Sequence, residues 1–295
     1  VSSTKCPDQR VAVIVPAKDE AQRIAATVRA CRSIPRVDLV VVVDDGSVDG
    51  TQDHARAAGA VTVRHSVTRG KASALETGAS VVGMRDYVHG PARLLLFIDA
   101  DLGDSAAACA DLVPPVVDGV CDMSVAVPPR QHGAGGRGRV VHAARRAIAR
   151  ATGWEPVAPL SGQRCLSRKA YEKAAPLAEG WGVEVGLTID VLVAGMAVIE
   201  VPCDITHRVT GNDRAGVLHR AAQYKDVVRA VAARTLRRHR VPAARYEKAA
   251  QEQNAFHVYR AHSVRTSEPG AGQDGGQGGG ASTDAPAGSS RSAGA

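Results

Sequence analysis

Short apolar runs recur along the first hundred residues: Val11 to Val15, Leu39 to Val43, Val61 to Arg64 and Leu94 to Ile98. Three of them are rich in valine, isoleucine or leucine with no polar interruption, the pattern of a strand buried on both faces, and Val61-Thr62-Val63-Arg64 reads as a further, less apolar strand. Pro16 is expected to end the first. Between the runs, Asp19 to Arg32 and Gly70 to Met84 read as helices, and Asp49-Gly50-Thr51 as a turn opening another. Strands alternating with helices predict an α/β fold: a mostly parallel central sheet with flanking helices. Such a sheet binds its ligand beyond the carboxyl ends of its strands.

The second half is more mixed. Asp104 to Val117 reads as helix, Met123 to Val127 as strand, and Pro128 to Gly138 as a loop rich in glycine, proline and arginine. Val140 to Ala151 is a basic helix, Gln163 to Leu166 a strand, Arg168 to Ala175 and Val183 to Ala194 helices, and Ala197 to Val201 a strand. Val217 to Arg238 predicts an amphipathic basic helix, suited to packing on its own domain, to a homodimer or to peripheral contact with an acidic membrane. The predicted organisation is a leader over 1–10, a catalytic domain over 11–240, an extension over 241–259 and a disordered tail over 260–295, where apolar periodicity disappears.

Composition narrows the partners. Aromatic residues make up only 3% of the chain, too few for stacking platforms along a single strand, so nucleic acid is not expected as a partner. The formal charge of +7 suits an anionic ligand, an acidic surface or a merely solvated face. The six cysteines have neither zinc-knuckle nor CxxC spacing, and several, in apolar strands or helices, are expected in the core. No signal-peptide pattern or membrane-length apolar stretch is visible, so the expected location is cytoplasmic.

The chemistry begins where Leu94 to Ile98 stops at Asp99-Ala100-Asp101. Two carboxylates spaced i, i+2 beyond a strand end suit a divalent cation and a phosphorylated ligand. Asp101 is assigned to Mg²⁺ or Mn²⁺, and Asp99 to a ribose, a donor sugar or metal-bound water; a polar strand cap is the alternative. At the first strand end, Pro16 is placed at the wall of a base pocket and Glu20 at a ribose hydroxyl or, alternatively, in an exposed first helical turn. Asp45, in Asp44-Asp45-Gly46-Ser47, is either a ligand carboxylate or part of a turn and helix cap. Arg69-Gly70-Lys71 precedes a helix, so Lys71 and the helix amides are available to a diphosphate, although the full P-loop pattern is missing. Pro159-Leu160-Ser161-Gly162-Gln163-Arg164 is placed to bring backbone close to a donor sugar. Glu184 suits sugar hydroxyls or a buried hydrogen-bonding role. His207 is placed on the metal and Arg208 on phosphate oxygens.

The same segments carry a resemblance. Val13 to Glu20, Val43 to Thr51 and Asp99-Ala100-Asp101 resemble, in order, the signature of GT-A fold nucleotide-diphospho-sugar transferases of the family 2 group. The resemblance implies a Rossmann-like fold over Val11 to Arg238 and a sugar transfer reaction from a UDP-sugar, UDP-glucose or UDP-N-acetylglucosamine first, to a small acceptor. It also places Ala17 and Ala100 among the donor contacts. A narrower similarity, to glucosyl-3-phosphoglycerate synthases, rests on Arg69-Gly70-Lys71, Pro159 to Gly162, Gly180 to Gly186 and His207-Arg208. It implies metal binding by Asp101 and His207, approach of Lys71 to the donor phosphates and approach of Glu184 to the donor sugar. Arg139 falls in the matching acceptor region, with Val141 where a hydroxyl residue is expected. Polyprenyl-phosphate sugar transferases share the Asp99 to Leu102 segment, and a noncatalytic nucleotide-sugar-binding protein is the third reading.

Overall fold

A computed structural model describes residues 9–89, 91–129, 138–206, 225–226, 228–234, 246–248 and 257–261. Its centre is a nine-stranded sheet. In chain order the elements are β1 (Val11–Ala17), α1 (Ile24–Ser33), β2 (Val37–Asp44), α2 (Thr51–Ala57), β3 (Val61–Arg64), α3 (Lys71–His89) and β4 (Leu94–Phe97). A 3₁₀ helix over Gly103–Leu112 runs into α4 (Val113–Val117). Then come β5 (Met123–Val127), α5 (Gly138–Thr152), β6 (Arg164–Leu166), α6 (Arg168–Ala174), a 3₁₀ turn at Gly180–Gly182, α7 (Val183–Val193) and β7 (Ala197–Pro202). Two short strands, β8 (Tyr246–Lys248) and β9 (His257–Ala261), complete the sheet.

The strand order is β3-β2-β1-β4-β6-β5-β7-β9-β8. The first four strands in that order are mutually parallel, β6 runs against both neighbours, and β5 and β7 are parallel. Alternate side chains of β1 feed two cores. Val11, Val13 and Val15 pack with α1 and the 3₁₀ helix, whereas Ala12 and Ile14 pack with α3 and its neighbours. Burial on both faces is why these strands read as continuous apolar runs.

The chain leaves β1 for β2 and β3 on one side, then crosses to β4 on the other. The crevice beyond the carboxyl ends of β1 and β4 is therefore the topological switch point.

The structure corrects several expected boundaries. Pro16 does not end β1, which continues through Ala17 paired to Asp44. Ile14 O accepts from Ile98 N on the β4 side. Pro16, two residues on, points its missing N–H to that same side, where β4 has already stopped, so the strand loses no ladder bond. The helix expected from Asp19 begins only at Ile24. Asp19 has a left-handed backbone (φ 53°), and the Asp19, Glu20 and Ala21 amides donate to Ser47, Thr51 and Asp49 side chains. Asp104 to Val117 splits into 3₁₀ and α pieces, with Pro114 and Pro115 opening the second. Within the span expected as a basic amphipathic helix, 228–234 are helical; most of the rest lies outside the described residues. Strands β8 and β9 fall where no strand was expected.

Candidate active site

The segments beyond β1, β2 and β4 enclose a cavity of about 470 Å³ at the switch point. Pro16, Ala17 and Glu20 line it from the first strand, Asp45 from the second, and Asp99, Ala100 and Asp101 from the fourth, with Lys71 at the start of α3. Eight sequence-selected residues thus share one concavity; Lys18, Thr68, Gly70, Ala74 and Gly180 also line it.

Lys71 is the centre of the site. Its Nζ lies 2.6 Å from Asp99 Oδ1 and 2.8 Å from Glu184 Oε1. Burial alone would depress the ammonium pKa, but the two carboxylates outweigh it and hold Lys71 above the ordinary lysine value. Glu184, 5% exposed, reaches Lys71 from the first turn of α7. Gly162 backs this pair. A Cβ there would fall 2.5 Å from Asp99 Oδ2 and 2.7 Å from Lys71 Nζ, so only glycine leaves room for the contact. Ser161 does not line the cavity: its carbonyl accepts from Arg164 Nε and its hydroxyl faces Gln163.

Asp45 has a more inward role than a ligand contact alone. Oδ1 accepts from Arg69 N and His65 Nδ1, both within 2.8 Å, and Oδ2 accepts from Gly70 N at 2.8 Å. Burial opposes its ionisation, but the Arg69 amide, the His65 ring and the Gly70 amide hold the carboxyl below the usual aspartate range. Asp45 thus takes the Arg69 and Gly70 amides, just ahead of the first residue of α3. The other ring nitrogen of His65, Nε2, lies 2.9 Å from Thr77 Oγ1, so the imidazole bridges Asp45 and α3. Gly70 enters α3 with φ 90°, a left-handed conformation that glycine adopts without strain.

Supporting contacts come from distant elements, and the side-chain roles of Gln163 and Arg164, within a block expected only to bring backbone to the sugar, were not foreseen. Thr27, buried in α1, donates to Ala100 O at 2.8 Å and accepts from Gly103 N at 2.9 Å, pinning the acidic turn. Gln163 Nε2 donates to Asp99 Oδ2 at 2.7 Å. Arg164, 1% exposed, donates to Thr188 Oγ1 at 2.7 Å beneath the Glu184 turn, and burial pulls its guanidinium down to about 10. Glu200 accepts from Val157 N and Ala158 N, anchoring the loop that leads to Gly162.

On the opposite side of α7, Gly182 and Gly186 pack against Ala230 and Arg234, and Arg234 pairs bidentately with Asp190.

Oxygen donors suit a hard divalent cation, and the Asp101 and Asp99 carboxylates both line the cavity. Among the described residues no group of three or more metal-ligating side chains converges. Such a cation would thus be held by few protein atoms and by its ligand's phosphates, the usual habit of Mg²⁺. His207 and Arg208 lie outside the described residues. Arg139 is in the first turn of α5.

The glycosyl transferase family 2 model matches residues 12–174, more than half of the 295-residue chain, and the chain belongs to that family. Its curated relatives include a Haloferax volcanii protein named glycosyltransferase AglJ, 26% identical over 211 residues, covering 69% of this chain and 65% of that one. Another is glucosyl-3-phosphoglycerate synthase of Mycolicibacterium paratuberculosis, 29% identical over 196 residues, covering 61% of this chain and 59% of that one. The chain thus spans less than two thirds of the length of either relative. A solved structure of glucosyl-3-phosphoglycerate synthase from Mycobacterium tuberculosis, in complex with Mn²⁺, UDP-glucose and glycerol 3-phosphate, is also similar. It is 25% identical with a TM-score of 0.58, over 79% of this chain and 82% of that one.

Five cysteines among the described residues are free and buried, as expected of core thiols. Among the described residues no helix is long and apolar enough to cross a membrane.

Proposed function

We propose that this protein is a glycosyltransferase dependent on Mg²⁺ or Mn²⁺. It moves glucose or N-acetylglucosamine from a UDP-sugar to a small phosphorylated acceptor. One observation carries the reading: Lys71, clamped between Asp99 and Glu184, faces a cavity that also holds Asp101 at the carboxyl ends of β1, β2 and β4. The similarity to an enzyme solved with Mn²⁺, UDP-glucose and glycerol 3-phosphate supports the donor, the metal and the acceptor class.

In this reading the catalytic domain is 11–240. Pro16, Ala17, Glu20 and Asp45 serve the nucleoside end of the cavity and Asp99 and Ala100 the sugar end, with Glu184 and Gly162 behind Lys71 and Asp99 and with Ser161 in the segment leading to Gly162. Asp101 and His207 hold the cation, which supplies positive charge to the departing diphosphate. Lys71 adds a fixed ammonium on the same side, already desolvated and already ionised, so little reorganisation is needed as negative charge develops. Glu184 orients Lys71 and accepts a sugar hydroxyl. Arg139 and Arg208 bind the acceptor's anionic group. The buried free thiols support a reducing, cytoplasmic location.

The test is a screen by mass spectrometry. Purified protein is incubated with UDP-glucose or UDP-N-acetylglucosamine, phosphorylated three-carbon acceptors and Mn²⁺ or Mg²⁺, with and without chelator. A product heavier by one hexose or N-acetylhexosamine, lost in chelator, is expected, and its anomeric configuration then separates retention from inversion. Absence of both UDP binding and transfer with metal present would overturn the reading.

A further inference from the structure

We infer that Gln163 is a positioning residue that fixes the orientation of Asp99, and so decides which carboxylate face the donor meets. The inference rests on the proposed function for its consequence, but its geometry stands independently. Gln163 is wholly buried, and its backbone is held in place where its carbonyl accepts from Ala126 N at 3.0 Å. Its Nε2 donates to Asp99 Oδ2 at 2.7 Å, while Lys71 Nζ contacts Asp99 Oδ1 at 2.6 Å. Each Asp99 oxygen thus has its own donor, one neutral and one cationic. The carboxamide must turn its NH₂ to Asp99, because an ionised carboxylate only accepts.

The arrangement removes a freedom that Lys71 alone would leave. The terminal torsion of an aspartate is broad and roughly two-fold, and an ammonium is a point charge that either oxygen satisfies. With only Lys71 present, the carboxylate could rotate while keeping its ion pair. The planar amide, delivered from a different element, forbids that rotation. Gly162 makes the convergence feasible, since a side chain there would collide with Asp99 Oδ2 and Lys71 Nζ. Glu at 163 would keep the shape but set one carboxylate against another. Asp99 is half-buried at the cavity wall, so its orientation is set before any ligand arrives.

Gln163→Met removes the donor at similar volume, and Gln163→Glu replaces it with a like charge. Ligand-free crystal structures of both variants are compared with the parent protein, followed by steady-state kinetics with a UDP-sugar. In Gln163→Met the Asp99 carboxylate is expected to rotate away from its parental plane while Lys71 stays in contact. Turnover should fall about tenfold to a hundredfold, the range for outer partners of site ligands, with the donor KM little changed. Gln163→Glu should lose more. Asp99 in its parental orientation in Gln163→Met, or an unchanged kcat, overturns the inference. If Gln163→Glu does not fold, Gln163→Met decides alone; if Gln163→Met does not fold, Gln163→Ala takes its place under the same two criteria. Failure of the parent protein to bind or turn over any UDP-sugar would instead strike the proposed function, and the crystallographic comparison would still judge Gln163.

Discussion

Two cations in this molecule each sit between two carboxylates, at opposite ends of the sheet. Arg93, just before β4, meets Asp38 through Nε at 2.7 Å and Nη2 at 2.9 Å, and Asp86 through Nη1 at 2.5 Å. Arg168 closes the cluster on Asp86 at 2.6 Å. Lys71, at the carboxyl ends, meets Asp99 and Glu184. The charge pattern is similar, but the geometry differs. The Arg93 side chain is 6% exposed and its fork is used on both acids; the Lys71 side chain is 22% exposed and borders the cavity. A guanidinium locked by several directed bonds ties elements together. An ammonium is a point charge that can exchange a partner for a ligand oxygen without breaking a fixed fork. Position relative to the strand ends, rather than charge, separates the structural knot from the group proposed to meet the donor.

The sharpest way to break this comparison is to remove each cation in turn. Lys71→Met should lower sugar transfer by about a hundredfold to a thousandfold, the scale for removing one preorganised stabilising group. Arg93→Met should leave turnover per folded molecule unchanged but destabilise the fold by about 3 kcal/mol, because Asp86 keeps Arg168 but Asp38 and Asp86 lose their shared fork. Rates normalised to folded protein, with urea unfolding for stability, check both. A catalytic collapse in Arg93→Met would erase the distinction.

Acid sharpens it next. Asp45 is depressed in the folded state, so its contribution is fully present above its unfolded value, near 3.9, and is lost as pH falls below that toward the folded value. Asp45→Asn is expected to cost about 2 kcal/mol at neutral pH, where the Arg69 and Gly70 amides and the His65 ring lose their charged acceptor. The deficit should shrink as pH falls below about 4. Unfolding curves at a series of pH values read it directly; a deficit independent of pH would show that Asp45 acts through shape alone.

Gly162→Ala should cost about tenfold in turnover by pushing Lys71 and Asp99 apart, with less effect on stability. Thr27→Val should have the smallest effect on turnover, a few-fold slower reaction, with a lowered unfolding midpoint from the two hydrogen bonds lost in the acidic turn.

Much of the catalytic-end geometry was legible because its residues sit in short local patterns at strand ends. Asp99-Ala100-Asp101 follows β4 directly, and Lys71 opens α3. Their supports were hidden for a physical reason. Gln163 is 64 residues from Asp99, and Lys71 is 113 from Glu184, so nothing in local spacing pairs them. Asp45 was read with two open roles because the amides that donate to it, at Arg69 and Gly70, lie 24 and 25 residues on. In the fold, buried parallel strands announced themselves through unbroken apolar runs. Tyr246-Glu247-Lys248 did not, since the ladder partner that makes it a strand is supplied by β9. Likewise the delayed start of α1 depends on side chains after β2 that capture the Asp19 to Ala21 amides.

The seating of β9 against β7 has a practical consequence. Ala197 to Glu200 find their antiparallel partners at His257 to Arg260, after a separation of about sixty residues. A chain cut before His257 would keep the cavity-lining segments yet strip the outer flank of β7. A bare ladder of amides and carbonyls recruits whatever strand comes by, including another copy of the same chain. Trimming the chain before His257 would thus leave a strand edge open to self-association, with the cavity-lining segments still in place.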